Sequence, residues 1–218
     1  FLNGTETSTY DKKVCFIDKE KQIRWFRVSL KRIVNRYTGR ESVLVAAVDI
    51  TEQELSQQYT GLQLKINESL EPAGSLDQAV QDMMRAICKN ADWNIAEAWI
   101  STSHGTLEWY TAYTASEKEF GSFIENGRSM QFSFGQGLPG AAWKAAKPQW
   151  IDDLANDVHF SRSEEASTLN LKEALSVPLV LNEDVHLVLV FYRTTHNRND
   201  SHLLHFFKRS AMDIAIKL

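Results

Sequence analysis

The sequence predicts an α+β fold, in which helices flank an antiparallel sheet and a smaller three-stranded antiparallel sheet comes first. Three observations predict this class. Short segments of strand character occur in pairs around tight turns, as in β-hairpins. Other segments carry apolar residues every three or four positions, as amphipathic helices do. Residues 129–134 alternate polar and apolar side chains, which is typical of a half-exposed antiparallel strand rather than a buried parallel one.

Composition limits the classes of function. The 218 residues include 43% hydrophobic and 24% charged residues, which leaves room for one large or two small soluble domains. The formal net charge of -4 provides no basic surplus for a phosphate backbone, so we expect no nucleic-acid partner. No apolar run approaches the roughly 20 residues that cross a bilayer, so we expect no membrane contact by this segment. Cys15 and Cys88 form neither a metal motif nor a disulfide framework, which fits a cytoplasmic location.

Residues 1–52 have the pattern of an antiparallel meander. We expect its strands at about residues 8–18, 22–34 and 42–50. A three-stranded sheet with an uncovered apolar face is poorly stable alone, so we expect it to pair with a second copy of the chain or to be loosely ordered. The residues that favour strands here are apolar or β-branched: Val14, Phe16, Ile23, Trp25, Val28, Val43, Val45 and Val48.

Residues 53–73 form a predicted helical linker, whose helical pattern begins at Thr51 and ends before Pro72. Its apolar residues are spaced four, three and four apart, which has two interpretations. One is a short coiled-coil seam of a parallel homodimer. The other is a single amphipathic helix that packs on its own domain. The apolar residues concerned are Leu55, Tyr59, Leu62 and Ile66.

Residues 74–218 form the predicted larger domain. Ser75 and Gln78 have the spacing of a capping box, so a helix should start there. Its apolar face should contain Leu76, Val80, Met83, Met84 and Ile87. Two hairpins follow, with strands at 95–101 and 107–113 and at 174–181 and 185–193. A last amphipathic helix is expected over 199–218, continuing into another domain, with Leu204, Phe207, Ala211, Ile214 and Leu218 on one stripe.

The segment 134–154, F-G-Q-G-L-P-G-A-A-W-K-A-A-K-P-Q-W-I-D-D-L, has two incompatible interpretations. Its three glycines have the G-x-G-x-x-G spacing of a dinucleotide-binding turn, which would imply an NAD-type oxidoreductase. The preceding strand is not a buried parallel one, however, and Pro139 removes an N–H group from the phosphate cradle. In the favoured interpretation the first two glycines form a turn, Pro139 lies in the first turn of a short helix ending at Ala146, and Trp150 begins a brief strand.

This glycine turn, short helix and W-I-D-D-L run resemble the core motif of GAF domains, a family of small-molecule and signalling sensors. Ser176-Val177-Pro178-Leu179 and Val188-Leu189-Val190-Phe191-Tyr192 are similar to GAF strands, although Leu187 stands where the family often has glycine. Residues 1–52 resemble the C-terminal half of a PAS domain, in particular the run Asp49-Ile50-Thr51 at the exit of that fold. The resemblance implies that Asp49 and Thr51 tie the final strand to the exit helix. Thr51 also has the spacing of an N-cap residue to Glu54.

The resemblance implies a PAS-GAF sensory region of a bacterial signalling protein, as in sensor histidine kinases and diguanylate cyclases. A ligand, whose identity is unknown, would lie between the sheet and the segments 134–143 and 150–160, with Trp150, Asp153 and Phe160 at the rim. The expected partners are a homodimer mate, a small-molecule ligand and an output domain of the same polypeptide. The alternative is a ligand-free GAF domain that serves in dimerisation.

No catalytic or metal-binding motif is expected in this segment. The methionine sulfoxide reductases of this fold use several cysteines, whereas only Cys88 lies in the GAF-like part. Bilin-binding and cyclic-nucleotide-binding patterns are absent from the sequence. His202 and His205 lie one helical turn apart, which fits a solvated helix face better than a metal site. Asp152 and Asp153 are interpreted as loop or cap residues rather than an acid and base pair.

Overall fold

The apolar and β-branched segments of the chain fold into two separate sheets. The computed structural model describes residues 9–19, 23–34, 37–70, 75–196, 203, 206 and 207. These belong to two units, Phe1–Gln58 and Tyr59–Leu218, each of which contains one sheet. Within the described ranges, no helix combines the length and the apolar character that crossing a bilayer requires.

The first unit contains the three-stranded antiparallel sheet that the sequence predicts. Strands β1 (Thr9–Ile17), β2 (Ile23–Val34) and β3 (Glu41–Asp49) lie in chain order, and helix α1 (Thr51–Leu70) follows β3. β3 is exposed along its whole length. The exposed apolar residues of the sheet include Phe16, Ile17, Val43, Leu44, Val45 and Val48. The uncovered apolar surface that the sequence predicts for this unit is therefore present.

The junction between β3 and α1 is fixed by side-chain hydrogen bonds. The backbone N–H of Trp25 donates to Thr51 Oγ1 at 2.9 Å, and the backbone N–H of Thr51 donates to Asp49 Oδ1 at 2.9 Å. The first helical bond runs from the N–H of Glu54 to the carbonyl of Ile50. The predicted N-cap role of Thr51 is therefore wrong: its hydroxyl ties the junction to β2, and Asp49 accepts at the helix start. Hydrogen bonds from Thr51 lower the pKa of the Asp49 carboxyl.

The later part of α1 belongs to the second unit, where it packs on that unit's core. Leu62 and Ile66 are buried, and Tyr59 stacks on Phe206 with ring centroids 5.8 Å apart. From Tyr59 onward, the amphipathic helix packing on its own domain is therefore the correct one of the two interpretations. The residues that would form a dimer seam there are covered by their own domain.

Helix α2 (Leu76–Ala91) starts where its cap predicts. Ser75 Oγ accepts the backbone N–H of Gln78 at 3.3 Å. The Gln78 side chain donates to Asp82 at 2.7 Å, so it does not complete the capping box. The predicted apolar face is confirmed except at its start, because Leu76 is exposed while the later residues are buried: Ala79, Val80, Met83, Met84, Ile87 and Cys88.

The second sheet has six strands in the order β6-β5-β4-β9-β8-β7, and every neighbouring pair is antiparallel. Both predicted hairpins are confirmed, and β4 and β9, which are distant in the chain, pair at the centre. The strands are β4 (Ile95–Ser101), β5 (Thr106–Thr114), β6 (Gln131–Ser133), β7 (Gln149–Ile151), β8 (Glu173–Leu181) and β9 (Asp184–Arg193).

Three shorter helices complete the described part of this unit. α4 (Gly137–Ala145) is the predicted helix, with Ala146 as its left-handed C-cap. α3 (Glu117–Gly127) and α5 (Ser163–Thr168) were not predicted. The expected helix over 199–218 lies outside the described residues except at three positions, which are helical and buried: Leu203, Phe206 and Phe207.

The central strands are buried on both faces. On one face, here called the helix face, α1, α2 and the three C-terminal helical residues cover side chains such as Leu189 and Phe191. On the other, here called the loop face, α3, α4, α5 and their connecting segments cover side chains such as Trp99, Val190 and Tyr192. This double cover explains why β8 and β9 are nearly continuous apolar runs although the sheet is antiparallel.

The three glycines of the nucleotide hypothesis serve packing instead. Gly137 has φ +60°, and a Cβ there would lie 2.9 Å from the Phe132 ring. A Cβ on Gly140 would lie 2.4 Å from the carbonyl oxygen of Ser133. Gly135 closes the turn by donating its N–H to the Gly140 carbonyl at 2.9 Å. Because the sheet is wholly antiparallel as well, the NAD-type interpretation of this segment is wrong.

Replacing Gly140 by alanine should destabilise the protein, although alanine is ordinarily the better helix former. The new methyl group would overlap the Ser133 carbonyl, so we expect a loss of roughly 2 kcal/mol in the free energy of unfolding. The matched control is Gly61→Ala in α1, where nothing lies within 4 Å of the added Cβ. There we expect a gain of about 0.5–1 kcal/mol. Urea unfolding of both variants checks this, and a stabilising Gly140→Ala would contradict the tight contact.

Thr51→Val should loosen the β2–α1 junction while preserving side-chain shape. The variant leaves the Trp25 amide without its hydroxyl acceptor, so this amide should exchange with solvent about fivefold faster, in line with a net hydrogen-bond contribution near 1 kcal/mol. Amide hydrogen exchange followed by NMR measures the effect. Thr38→Val, in an exposed turn, is the control, and equal Trp25 exchange in both variants would argue against the junction.

Candidate functional site

A carboxylate lies in the middle of the loop face. Glu97 is in β4, between Ala96 and Ala98, and is completely buried. Arg162, which precedes α5, reaches it with one terminal nitrogen. Arg162 Nη1 donates to Glu97 Oε1 at 3.1 Å and to Oε2 at 2.9 Å. Only about 5% of the Arg162 side chain is exposed. The pair is therefore an ion pair inside the domain.

The other donors of Arg162 are also engaged. Nη2 donates to the backbone carbonyl of Phe123 in α3, and Nε donates to Glu165 Oε2 at 3.3 Å. The guanidinium carbon lies 3.2 Å from the centroid of the Phe123 ring, which is a cation–π contact. Three nitrogens, one aromatic face and two carboxylates thus fix the position of the guanidinium.

The residues around the pair are adapted to it. A Cβ on Gly127 would lie 2.4 Å from Glu97 Oε1 and 3.3 Å from Arg162 Nη1, so only glycine leaves this space. The Tyr192 hydroxyl donates to Glu97 Oε2 at 3.0 Å. The end of α3, the centre of β4 and the end of β9 therefore converge on one carboxylate.

Burial controls the protonation equilibria of these groups. It raises the pKa of the Glu97 carboxyl, against the opposing effects of Arg162 and of the Tyr192 hydroxyl. It also raises the pKa of the Tyr192 phenol, which the Glu97 carboxylate raises further. For Arg162, burial opposes the charge, but the combined effects of Glu97, Tyr192 and Glu165 outweigh it and raise the pKa of the guanidinium. Arg162 is thus held as a cation.

A polar pocket of about 410 Å³ lies beside Arg162 at the surface. Two acidic residues of α5, Glu164 and Glu165, contribute to it, and Asn126 donates to Glu165 Oε1 at 2.8 Å. The lining residues are Asn126, Ser161, Arg162, Ser163, Glu164 and Glu165. The pocket thus lies next to the cationic partner of the ion pair, and the completely buried Glu97 does not line it.

The structure does not bring the three predicted rim residues together. Phe160 is buried on the loop face, with its ring 6.2 Å from that of Tyr192, two positions before Arg162. Asp153 is exposed in the same connecting segment and accepts a hydrogen bond from the Asn156 side chain at 2.9 Å. Trp150 packs on the helix face instead, because its neighbour Ile151 takes the loop face.

The Trp150 ring lies beside a second buried ion pair, that of Arg193 and Glu173. Arg193 Nε donates to Glu173 Oε2 at 2.8 Å, and both residues are fully buried. The Arg193 guanidinium carbon lies 5.1 Å from the Trp150 ring and 4.5 Å from the Trp93 ring. Each face of the sheet therefore carries one buried arginine on aromatic rings.

Sequence reasoning missed Glu97 and Arg162, which are 65 positions apart. One signal was available: Glu97 is the single charged residue in the otherwise apolar run 95–100. Cys88 is buried on the helix face, and burial raises the pKa of its thiol well above the ordinary range. Within the described residues no cluster of three potential metal ligands occurs, and His202 and His205 lie outside them.

The second unit is thus a sensor-type α+β domain, with a six-stranded antiparallel sheet between helices on one face and short helices and loops on the other. A family model for GAF domains matches residues 73–218, two thirds of the chain, and the chain belongs to this family. GAF domains are regulatory domains that commonly bind small ligands and dimerise. The match does not extend to the first sheet, so the PAS resemblance remains a prediction.

Solved structures share the fold. The GAF domain of a phosphoenolpyruvate-protein phosphotransferase from Coxiella burnetii is 15% identical with a TM-score of 0.61, covering 74% of this chain and 93% of that one. An A. aeolicus GAF domain in an inactive state is 11% identical with a TM-score of 0.61, covering 75% and 96%. A free methionine-R-sulfoxide reductase from Neisseria meningitidis, in complex with its substrate, is 11% identical with a TM-score of 0.60, covering 75% and 89%. None of the curated proteins compared with the chain matches it.

Glu97→Gln should destabilise the protein strongly, because it leaves the buried charge of Arg162 with only the partly exposed carboxylate of Glu165 as a counter-ion. We expect a loss of roughly 3–5 kcal/mol in the free energy of unfolding. The control is Glu125→Gln, which breaks an exposed pair with Arg128 and should cost less than about 1 kcal/mol. Chemical denaturation measures both. Equal, small losses would mean that Glu97 is already protonated in the folded protein.

Proposed function

We propose that the chain is the sensory, PAS-GAF region of a bacterial signal-transduction protein whose output domain is a histidine kinase or a diguanylate cyclase. In this proposal the GAF domain binds a small ligand or a partner and the segment itself catalyses nothing. The protein works in the cytoplasm as a homodimer. Family membership supports the regulatory role, while the PAS half, the output domain and the dimer rest on the sequence resemblance.

The observation that carries the ligand-binding role is the buried Glu97–Arg162 pair beside a polar surface pocket. Buried ion pairs contribute little net stability compared with apolar packing, so a pair beside a surface pocket is a candidate for ligand recognition. The Trp99 indole N–H is buried on the same face and makes no hydrogen bond to any described residue. The helix face also carries an indole N–H unpaired among the described residues, that of Trp93, so the position of the ion pair beside the pocket is what supports this proposal.

The proposed ligand site lies at the segment 152–162 and at the pocket next to Arg162. Phe160 and Asp153 belong to this segment, so both remain proposed ligand residues. Trp150 precedes it but packs on the helix face, so its proposed contribution is to hold the start of the segment in place.

The relay follows from which elements cover the helix face. A ligand that binds one arrangement of the domain more tightly than another shifts the population toward it. Helices α1 and α2 and the C-terminal helical residues pack directly on the sheet, so they are the elements through which such a shift leaves the domain.

A ligand-free GAF domain that serves in dimerisation is the second candidate. It is favoured by the aromatic side chains that fill much of the loop face: Trp99, Phe120, Phe123, Phe132, Phe160 and Tyr192. In particular, Trp99 meets Phe132 and Phe123 meets Tyr192 edge to face, with ring centroids 4.8 and 4.9 Å apart. This packing occupies space that a large ligand would need.

Native mass spectrometry of the freshly purified protein, followed by a thermal-shift screen of small polar metabolites, tests the sensor proposal. We expect a retained or screened small molecule that raises the melting temperature. Phe160→Ala should weaken its binding by at least about tenfold, as expected for the loss of a buried aromatic contact. Trp150→Ala should lower stability but leave the affinity within about threefold, because this ring lies on the other face.

The opposite pattern, with binding abolished by Trp150→Ala alone, would place the ligand on the helix face. A protein that is dimeric, retains nothing and responds to nothing in the screen would favour the ligand-free candidate.

A further inference from the structure

Arg162 is bound by its own domain in the way that a protein binds a guanidinium ligand. The planar group has a carboxylate at one edge, a backbone carbonyl at another and an aromatic ring against its face, as described above. Carboxylates and aromatic faces are the partners by which guanidinium groups are recognised. The same contacts would be available to a free molecule with this end group.

The contact has two halves, which different parts of the fold carry. We call the residues that surround the guanidinium the receptor half, and Arg162 itself the guanidinium half. The receptor half lies on regular elements, with Glu97 in β4, Tyr192 in β9, and Phe123 and Gly127 in α3. The guanidinium half is carried by Arg162, at the end of the irregular segment 152–162. Displacement of that segment would therefore leave the receptor half largely formed.

Without Arg162, the receptor half would select for a cation. A completely buried carboxylate is costly unless it is paired, and the pair on Glu97 spans both of its oxygens. Gly127 allows Glu97 Oε1 to lie against α3, since a Cβ there would come within 2.4 Å of that oxygen. An ammonium group is a compact point charge, whereas a planar guanidinium matches the carboxylate and the Phe123 face together.

Access is provided by the polar pocket beside Arg162. It carries two carboxylates, Glu164 and Glu165, of which the second already accepts from Arg162 Nε. An acidic entrance raises the local concentration of cations. A solute in this pocket would thus approach the ion pair from the side of Arg162, which lines the pocket, whereas Glu97 does not.

We propose that the ligand site of this domain recognises small molecules with a terminal guanidinium group, and that Arg162 is a tethered competitor that occupies the site until such a ligand displaces it. This rests on the proposed function and names the chemical class of its ligand. Because the tether gives Arg162 a high effective concentration, the free ligand binds the wild-type protein weakly.

The test uses Arg162→Ala and ethylguanidinium as the probe. The variant should bind ethylguanidinium at least about tenfold more tightly than the wild-type protein, because the competitor is gone. Isothermal titration calorimetry gives the affinities, and the rise in melting temperature gives an independent readout. Ethylurea, which is planar but neutral, should bind at least about tenfold more weakly to the variant. Adding Glu97→Gln to the variant should remove the response.

Arg193→Ala is the matched control. It removes a second buried arginine of the described residues, which is paired with Glu173 on the helix face, away from the residues that line the polar pocket. Ethylguanidinium should stabilise this variant much less than Arg162→Ala. Equal responses in the two variants would mean that any arginine-shaped cavity accepts the probe, and would overturn the proposal. Equal affinities in Arg162→Ala and wild type would do the same.

If Arg162→Ala does not fold, Arg162→Gln takes its place, together with NMR titration of the wild-type protein. The amide signals of Phe123 and Gly127 should shift with ethylguanidinium and not with ethylurea, and unshifted signals would overturn the proposal. The guanidinium proposal can fail while the sensory function stands. A stabilising ligand of another chemical class would support the sensory function and not the guanidinium proposal.

Discussion

The arrangement of the loop face depends on one constraint, the need of the buried Glu97 carboxylate for a cation. A charge in the apolar centre of a sheet is tolerated only when it is paired and its oxygens accept hydrogen bonds. Arg162 meets this need, and its position then dictates the path of the segment before α5. Gly127 follows from the same constraint, because α3 can approach the carboxylate only without a side chain there.

Local patterns predicted the local elements and failed where distant contacts decide. The hairpins, α2 and α4 have caps, turns and periodicity in their own sequence, and they form where these signals place them. The central pairing of β4 with β9 has no local signal, since their residues are some 90 positions apart. Helix α3 has an apolar face, with Phe120, Phe123 and Ile124 buried, but this pattern covers only 11 residues, which is a weak signal for a helix. Thr51 shows the reverse case, where a cap-like spacing was overridden by a hydrogen bond from Trp25.

The ligand site that the sequence places between the sheet and the segments 134–143 and 150–160 stays a prediction, and the chemistry of the Glu97–Arg162 pair was not part of it. The segments 134–143 and 150–160 do cover one face of the sheet, through Leu138, Ala142, Leu154 and Phe160. Strand alternation, however, assigns Trp150 and Ile151 to opposite faces, and only the register with β8 decides which residue takes which face. The pairing of Glu97 with Arg162 was beyond sequence reasoning, because an ion pair between distant segments requires the fold to be known first.

The proposed relay requires a route between the faces, and the end of β9 contains one. Tyr192 and Arg193 are consecutive, so they point to opposite faces of the sheet. Tyr192 donates to Glu97 on the loop face, whereas Arg193 pairs with Glu173 on the helix face, and Glu173 Oε1 lies 3.2 Å from His196 Nδ1. Displacing Arg162 would remove the cation beside the Glu97–Tyr192 hydrogen bond, one residue from the Arg193 pair. Coupling along this route requires two discrete packed arrangements of β9 and its neighbours, because a change at Glu97 reaches Arg193 only if the end of β9 moves as a unit.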